Sequence, residues 1–346
     1  MQIGQYIRRT TSKVLRVFQR TSSNDPVVEI IDTPELAPAN VKRRPKWFWL
    51  VVGSIGFVLV LWPLIAFLLV HQINDDPVVD ATGVDGGAAS VAITIMLMER
   101  EISETGWVAN APAFMPAAIL NNMPNYQIGM VKALGRFAFE LEDQVGRERG
   151  SSAVDADLAI ARARLQYEPT VWIFKPGTLW PTAPAEDQYR DAIAALKRYN
   201  ARLAAGNATF DARPDNLMAV MNRIALDIGS MSAELDMQID HRHKTLGLLD
   251  LKADKIFYRV KGSIYAYFMV LQALKTDFAD VINERQTARL YDDMLAELRR
   301  AAIMQPLVVN NGTLSGQAFP NHLANQGFHL LRARTKMREI TDVLRK

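Results

Sequence analysis

The apolar residues of this chain fall into one unbroken run followed by a series of helical stripes. The run is Trp47 to Val70 (WFWLVVGSIGFVLVLWPLIAFLLV), which carries no charge and follows directly on Lys42, Arg43, Arg44 and Lys46. At about 1.5 Å rise per residue it extends roughly 36 Å as a helix, enough for a hydrocarbon core of about 30 Å. It is too long for the apolar core of a signal peptide, and no small-x-small cleavage site follows Val70, so the pattern predicts an uncleaved transmembrane anchor.

Beyond Val70, apolar residues recur at three- and four-residue intervals, which predicts helices over 88–104, 113–121, 125–147, 153–167, 185–205, 215–246, 252–284, 287–304 and 324–345. In the sixth of these Leu217, Met221, Ile224, Ile228, Met231 and Leu235 form a seam close to a 3.5-residue repeat. The seventh has a second seam of Ile256, Val260, Ile264, Tyr267, Leu271, Leu274, Phe278 and Val281. Joined through Gly247 to Ala253, these two helices are expected to fold back as a long antiparallel hairpin. Phe257, Tyr265 and Phe268 lie off the main stripe, which places the second helix at the bundle centre. No convincing alternating run appears; the best strand candidate, Thr170 to Phe174, is too short to build a sheet. The expected fold is all-α: a single N-terminal transmembrane helix followed by a large helical bundle.

The flanks divide the chain further. Residues 1–20 read as a basic amphipathic helix suited to an anionic lipid surface, and 21–46, with Pro26, Pro34, Pro38 and Pro45, as a flexible linker. The span covers 47–70, a tether rich in Asp and Gly covers 71–87, and the helical domain covers 88–346. Three stretches break the helical pattern: 105–124, 169–184 and 305–323. Long breaks inside a compact domain are more often functional than filler, so the expected binding surface comprises Trp107, Asn110, Asn125, Tyr126, Trp172, Trp180, Asn321 and His322. Asn125, just after Pro124, is also the expected N-cap of its helix.

Charge fixes orientation. Residues 1–46 hold nine Lys or Arg against four acids, whereas Asp75, Asp76, Asp80 and Asp85 follow the run with no basic residue before Arg100. The positive-inside bias predicts a cytoplasmic N-terminus and a C-terminal domain on the far side of the membrane. Removing those residues from the chain's 40 basic and 37 acidic ones leaves 31 and 33. The basic character therefore belongs to the inner segment, and a near-neutral exported domain has no footprint for nucleic acid. The chain contains no cysteine, which excludes disulfides and thiolate metal sites.

No constellation names a reaction. His241 and His243 stand two apart and point to different sides of a helix, and Pro320 and Gly327 argue against a shared face for His322 and His329, so no metal site and no cofactor are expected. Glu99, Glu101 and Glu104, and Glu140, Glu142 and Asp143, are acid clusters of the kind glycan-cleaving enzymes use, but they fall on what reads as solvated helix faces. There is no G-x-S-x-G elbow, S-x-x-K, Walker A or G-x-G-x-x-G motif. Gly129 and Gly135 inside a helix cost about 1 kcal/mol each relative to Ala, which close helix packing would offset.

The Asp-rich start after the anchor, the TGWVANAP stretch at Thr105 to Pro112 and MPNYQIG at Met123 to Gly129 resemble an uncharacterised proteobacterial single-pass inner-membrane family, a domain of unknown function. The resemblance implies an inner-membrane location and nothing catalytic. The expected partners are the lipid bilayer and an envelope protein. Homo-oligomerisation is left open, since the spacing of Gly53 and Gly56 lends helix pairing little support. The leading expectation is a non-enzymatic envelope scaffold; the alternatives are a sensory input domain acting through a separate partner and a carboxylate-dependent envelope hydrolase.

Overall fold

A computed structural model describes residues 45–70, 73–78, 86–112, 115, 121–146, 154–174, 180–240, 250–306, 308–312 and 321–346, without the side chains of 63 and 65–70. The expected basic helix at 1–20, nearly all of the linker, the tether residues 79–85, and His241 and His243 lie outside these residues, as does most of the expected helix at 113–121. The chain falls into two units, Met1–Gly53 and Ser54–Lys346. The described part of the first is the start of α1 (Lys46–Val70), whose side chains there are mostly exposed. Among the described residues no helix is long and apolar enough to cross a membrane.

The second unit is helical. After the rest of α1 come α2 (Ala89–Glu99), α3 (Asn122–Glu140), α4 (Ala156–Leu165), α5 (Ala185–Ala204), α6 (Pro214–Asp240), α7 (Leu251–Asp277), α8 (Ala279–Glu284), α9 (Ala288–Ala302) and α10 (His322–Leu344). Two of them, α2 and α3, continue into single π-helical turns, Arg100–Glu104 and Leu141–Val145. Among the described residues β pairing is limited to two isolated bridges, Phe174 with Pro181 and Asn311 with Asn321. Only the last residue of the strand candidate at Thr170 to Phe174 therefore pairs.

The start of α3 differs from expectation. The helix begins at Asn122, so Pro124 falls in the first turn, where its missing N–H has no intrahelical partner to lose. Asn125 is consequently inside the helix, and its Nδ2 donates to the Asn121 carbonyl at 2.6 Å instead of capping. Elsewhere side chains do cap: Asp155, Asp250 and Asn321 accept backbone N–H groups at the starts of α4, α7 and α10. The N-terminus of α2 is capped from a distance, with Asp277 at the end of α7 accepting from Ala89 N at 2.7 Å and Ser90 N at 2.8 Å. That contact closes the chain across the bundle.

Helix α7 occupies the centre and packs against α2, α3, α6, α9 and α10. Every residue of its predicted seam from Ile256 to Leu274 is buried, and the off-stripe Phe257, Tyr265 and Phe268 are buried too. The hairpin expectation needs revision, because the most extensive partner of α7 is α3 and that of α6 is α10. The cause lies in the glycines. A Cβ on Gly129 would stand 1.9 Å from the Arg259 carbonyl oxygen, and one on Gly262 would stand 2.0 Å from that of Tyr126. The two helices thus cross with backbone against backbone, and Ser263 Oγ donates to the Gly129 carbonyl at 2.8 Å across the seam. A pair of helices with side chains at the crossing is held further apart, which accounts for the extensive contact between α3 and α7.

Replacing either crossing glycine should therefore force the helices apart. Gly129→Ala and Gly262→Ala are each expected to destabilise the domain by on the order of 3 kcal/mol, a severe case of overpacking. Gly229→Ala, whose added methyl meets only the guanidinium end of Arg334, should cost clearly less; denaturant titration followed by far-UV circular dichroism measures all three.

Candidate functional site

The glycine crossing positions polar side chains that a helix interior does not ordinarily hold. Lys261 precedes Gly262 and is buried, with 1% of its side chain exposed. Its Nζ donates to Asp75 Oδ2 at 2.6 Å and to the Met304 carbonyl at 2.6 Å, while Gln305 Nε2 donates to Asp75 Oδ1 at 2.6 Å. Residues 73–78 thereby become a strap laid onto the bundle. Two buried tyrosines fasten it on either side of Asp75: Tyr126 of α3 donates to the Asn74 carbonyl at 3.0 Å, and Tyr265 of α7 to the Asp76 carbonyl at 2.8 Å. The expected tether is, over these residues, part of the folded domain.

The network continues into the π turn after α2. Arg100 Nη1 donates to Tyr265 Oη at 3.0 Å, and its guanidinium lies over the Tyr265 ring at 5.2 Å. Arg100 also pairs with Glu101 at 3.1 Å, and Glu101 accepts from Gln127 Nε2 at 3.2 Å. Gln127 in turn donates to the Gly106 carbonyl at 2.9 Å and accepts from Val108 N at 2.9 Å, which holds the 105–112 segment against α3. Burial dominates the ionisation of Glu101, Lys261 and the two tyrosines. It pushes the Glu101 carboxyl up, against the pull of Arg100 and Gln127, and pushes the Lys261 ammonium down, against the pull of Asp75. It also pushes the Tyr126 and Tyr265 hydroxyls up, so both remain donors at neutral pH.

Two recesses open on the described surface. One of about 510 Å³ lies over the strap and is lined by Ile73, Asn74, Asp75, Asp76, Arg100, Glu104 and Thr105. The other, about 530 Å³, is an open cleft bounded by α3, α6, α7 and the turn after α4. Its rim carries the exposed Lys132 and Arg136, one helical turn apart on α3, and its floor includes Val131, Gly135, Leu165 and Met231. At its side Tyr267, whose acidity burial suppresses, donates to Asp227 Oδ2 at 2.6 Å. Among the described residues no three His, Asp or Glu stand together as a metal would require.

The structure distributes the eight sequence-derived positions unevenly. Trp107 is buried, with its Nε1 donating to the Pro169 carbonyl at 3.1 Å and its ring edge-on to Tyr189 at 5.0 Å. Asn110, also buried, donates to the Val171 carbonyl at 3.0 Å and to Glu186 Oε2 at 2.7 Å. Through these bonds the first two breaks in the helical pattern are tied together. Tyr126 is in the core and Asn125 half-buried in α3. Trp172 is half-buried beside Phe174, whereas Trp180 is 81% exposed. In the third break Asn321 caps α10 and donates to Asn311 Oδ1 and the Gly312 carbonyl, and Asn311 Nδ2 reaches the Gln238 carbonyl at the end of α6. His322 Nδ1 accepts from Asn310 N at 3.0 Å. The side chains of Trp107, Asn110, Asn125, Tyr126, Asn321 and His322 serve the chain's own backbone.

The acids placed on solvated faces are a second correction. Glu101, Glu140 and Glu142 are buried, the first paired with Arg100, the second with Arg223 at 2.9 Å and the third with Arg162 at 2.6 Å. All three lie in or beside the π-helical turns, where the wider turn shifts the phase of a wheel drawn at 3.6 residues. The central residues Asp75, Arg100 and Lys261 were not singled out from the sequence. The available signal was a lysine set among Val260, Ile264, Tyr265 and Phe268 on the helix expected at the bundle centre.

The chain is a helical bundle whose entering segment is clamped by a buried ion pair and whose buried Glu101, Glu140 and Glu142 are paired with arginines. The chain belongs to the DUF2333 family, described as uncharacterized protein conserved in bacteria, whose model matches residues 70–253 and 249–346. No curated protein and no solved structure matches it.

His322 gives this region a pH dependence. Burial lowers its pKa below 6.5, so between that lowered value and 6.5 the unfolded chain binds more protons than the folded one, and stability falls as pH drops through the window. Protonation also removes the acceptor for Asn310 N. Stability measured from pH 7.5 to pH 5 should decline for the natural chain and decline less for His322→Asn.

Proposed function

We propose that this protein is a non-enzymatic scaffold of the bacterial envelope, held in the inner membrane by α1, with its N-terminus cytoplasmic and its helical domain in the periplasm. The observation that carries the reading is the strap. The uncharged, apolar run of 47–70 ends at Val70, and five residues later Asp75 is locked into the core by Lys261. Chain geometry limits the separation of those two points to about 18 Å. A domain clamped this close to an anchor is presented at the membrane in a fixed register, which suits a scaffold that positions another envelope component. The charge asymmetry on the two sides of 47–70 supports the orientation.

The accessible cleft beside Lys132 and Arg136 is the seat we assign to that component, since most of the expected loop residues are consumed internally. Its apolar floor and a rim of both signs, Lys132 beside Glu168 and Arg136 paired with Asp227 at 3.9 Å, suit a polypeptide segment with apolar and polar side chains. The hydrolase alternative finds little support, because Glu101, Glu140 and Glu142 are each paired with an arginine.

Two measurements test this reading. The full chain should stay with the membrane pellet after alkaline carbonate extraction, whereas a chain beginning at residue 73 should not; release of the full chain would remove the anchor. A photo-crosslinking residue in place of Lys132 should trap a discrete envelope protein in intact cells, and one in place of the exposed Leu226 should not. Identical patterns at the two positions would contradict the assignment of the cleft.

A further inference from the structure

Helices α6 and α10 share an outer face on which three large apolar side chains remain exposed: Leu226 at 60%, Met237 at 59% and Leu331 at 57%. The two helices run antiparallel. A Cβ on Gly229 would stand 2.9 Å from the Arg334 guanidinium carbon, and one on Gly327 would stand 3.8 Å from Leu235 Cδ1, so a step forward along α6 is a step back along α10. At about 3.6 residues per turn Leu226, Gly229, Ala233, Asp236 and Asp240 form one stripe of α6, with Met237 at its edge, and Gly327, Leu331, Arg334 and Arg338 form one stripe of α10. Each stripe contains the glycine that meets the other helix, so the two lie side by side. In that alignment Leu331 stands level with about position 232 of α6, and Arg338 with about position 225.

Charge is segregated along this face. Asp236 and Asp240 are exposed at the end of α6, and Arg338 is exposed beside the first half of that helix. Among the described residues none of the three has an ion-pair partner. Arg334 adds a second cation on the same side of Leu331 as Arg338. The ionisable groups that flank them are engaged elsewhere: Arg223 pairs with Glu140, Glu234 with Arg259 and Asp342 with Arg345, while Asp227 accepts from Tyr267. Glu339 continues the stripe of Arg332 and Lys336, which pair with Glu297 and Asp293 of α9. The face thus presents carboxylates at one end, guanidinium groups at the other and apolar side chains between.

Such a surface is complementary to a second copy of itself turned through a two-fold rotation. With the axis lying in the face and crossing the helices near Leu331, that residue comes close to its own copy and Leu226 of each chain approaches Met237 of the other. The Arg338 end of each chain then lies over the Asp236 and Asp240 end of the other. We propose that the outer face of α6 and α10 is a homodimer interface of this two-fold kind. A second copy is favoured over an unrelated protein because the complement that this face requires is the face itself. From Leu226 to Asp240 it runs about 21 Å, across two helices of about 10 Å each, which is the extent of a weak, reversible contact rather than an obligate one. The inference is independent of the membrane anchor. A photo-crosslinker at 226 then joins two copies of this chain and no second protein.

The absence of cysteine permits a direct test. The full chain, purified in a mild detergent, carries Leu331→Cys and is oxidised with copper phenanthroline, and the disulfide-linked dimer is read on a non-reducing gel. Leu331→Cys should cross-link several-fold faster than Ile160→Cys, an exposed position on α4. Leu226→Cys and Met237→Cys should each cross-link slowly alone and several-fold faster when the two chains are mixed. Reversing one charge, with Arg338→Asp in the Leu331→Cys chain, should slow the reaction several-fold, and adding Asp236→Arg and Asp240→Arg to that same chain should restore it. Equal rates at 331 and 160, or a rate at 331 that the charge reversals leave unmoved, would overturn the interface.

Discussion

The crossing of α3 and α7 at Gly129 and Gly262 is the constraint on which the rest of the structure depends. Backbone meets backbone there, with the Arg259 and Tyr126 carbonyls occupying the space that side chains would take. So close an approach brings Tyr126 and Gln127 of one helix beside Lys261 and Tyr265 of the other. It also leaves α6 to find its main partner in α10 rather than in α7. A single steric fact thus selects both the helix pairing and the residues that meet the incoming chain.

Those residues carry an energetic risk. A buried lysine is costly unless its charge is paired and its remaining hydrogens are bonded. Lys261 meets that requirement only when Asp75 and the Met304 carbonyl are in place, both supplied from outside its own helix. The polar cluster is therefore conditional on the strap, and the strap is specified by the cluster. Such an arrangement disfavours a register of the segment leaving α1 in which Asn74 or Pro77 faces Lys261, because the lysine would then be buried without a carboxylate.

Much of this fold was legible from periodicity. The seams at Leu217 to Leu235 and Ile256 to Val281 lie on buried faces, and all but one of the other predicted helices past the anchor appear within a few residues of their expected ends. The remaining one, at 113–121, lies almost entirely outside the described residues. Where the reading missed, local physics explains it. A π turn is invisible to a wheel of fixed period, so Glu101 and Glu142 were assigned to the wrong face. Loop composition also failed to separate residues that contact a partner from residues that satisfy the chain's own carbonyls. Trp107 and Asn110 look like surface recognition residues in sequence but seal one loop onto another. Pairing across a separation such as 75 to 261 leaves no local trace in one sequence.

The account stands or falls with the claim that the segment after α1 is bound into the core through one charged contact. A double-mutant cycle of Asp75→Asn and Lys261→Met, with stability measured by denaturant unfolding, tests it most directly. The account predicts that each single variant is destabilised and that the double variant recovers a coupling energy of between about 1 and 3 kcal/mol. Effects that simply add, to within about 0.5 kcal/mol, would mean that Asp75 and Lys261 do not meet and that the strap is not part of the fold.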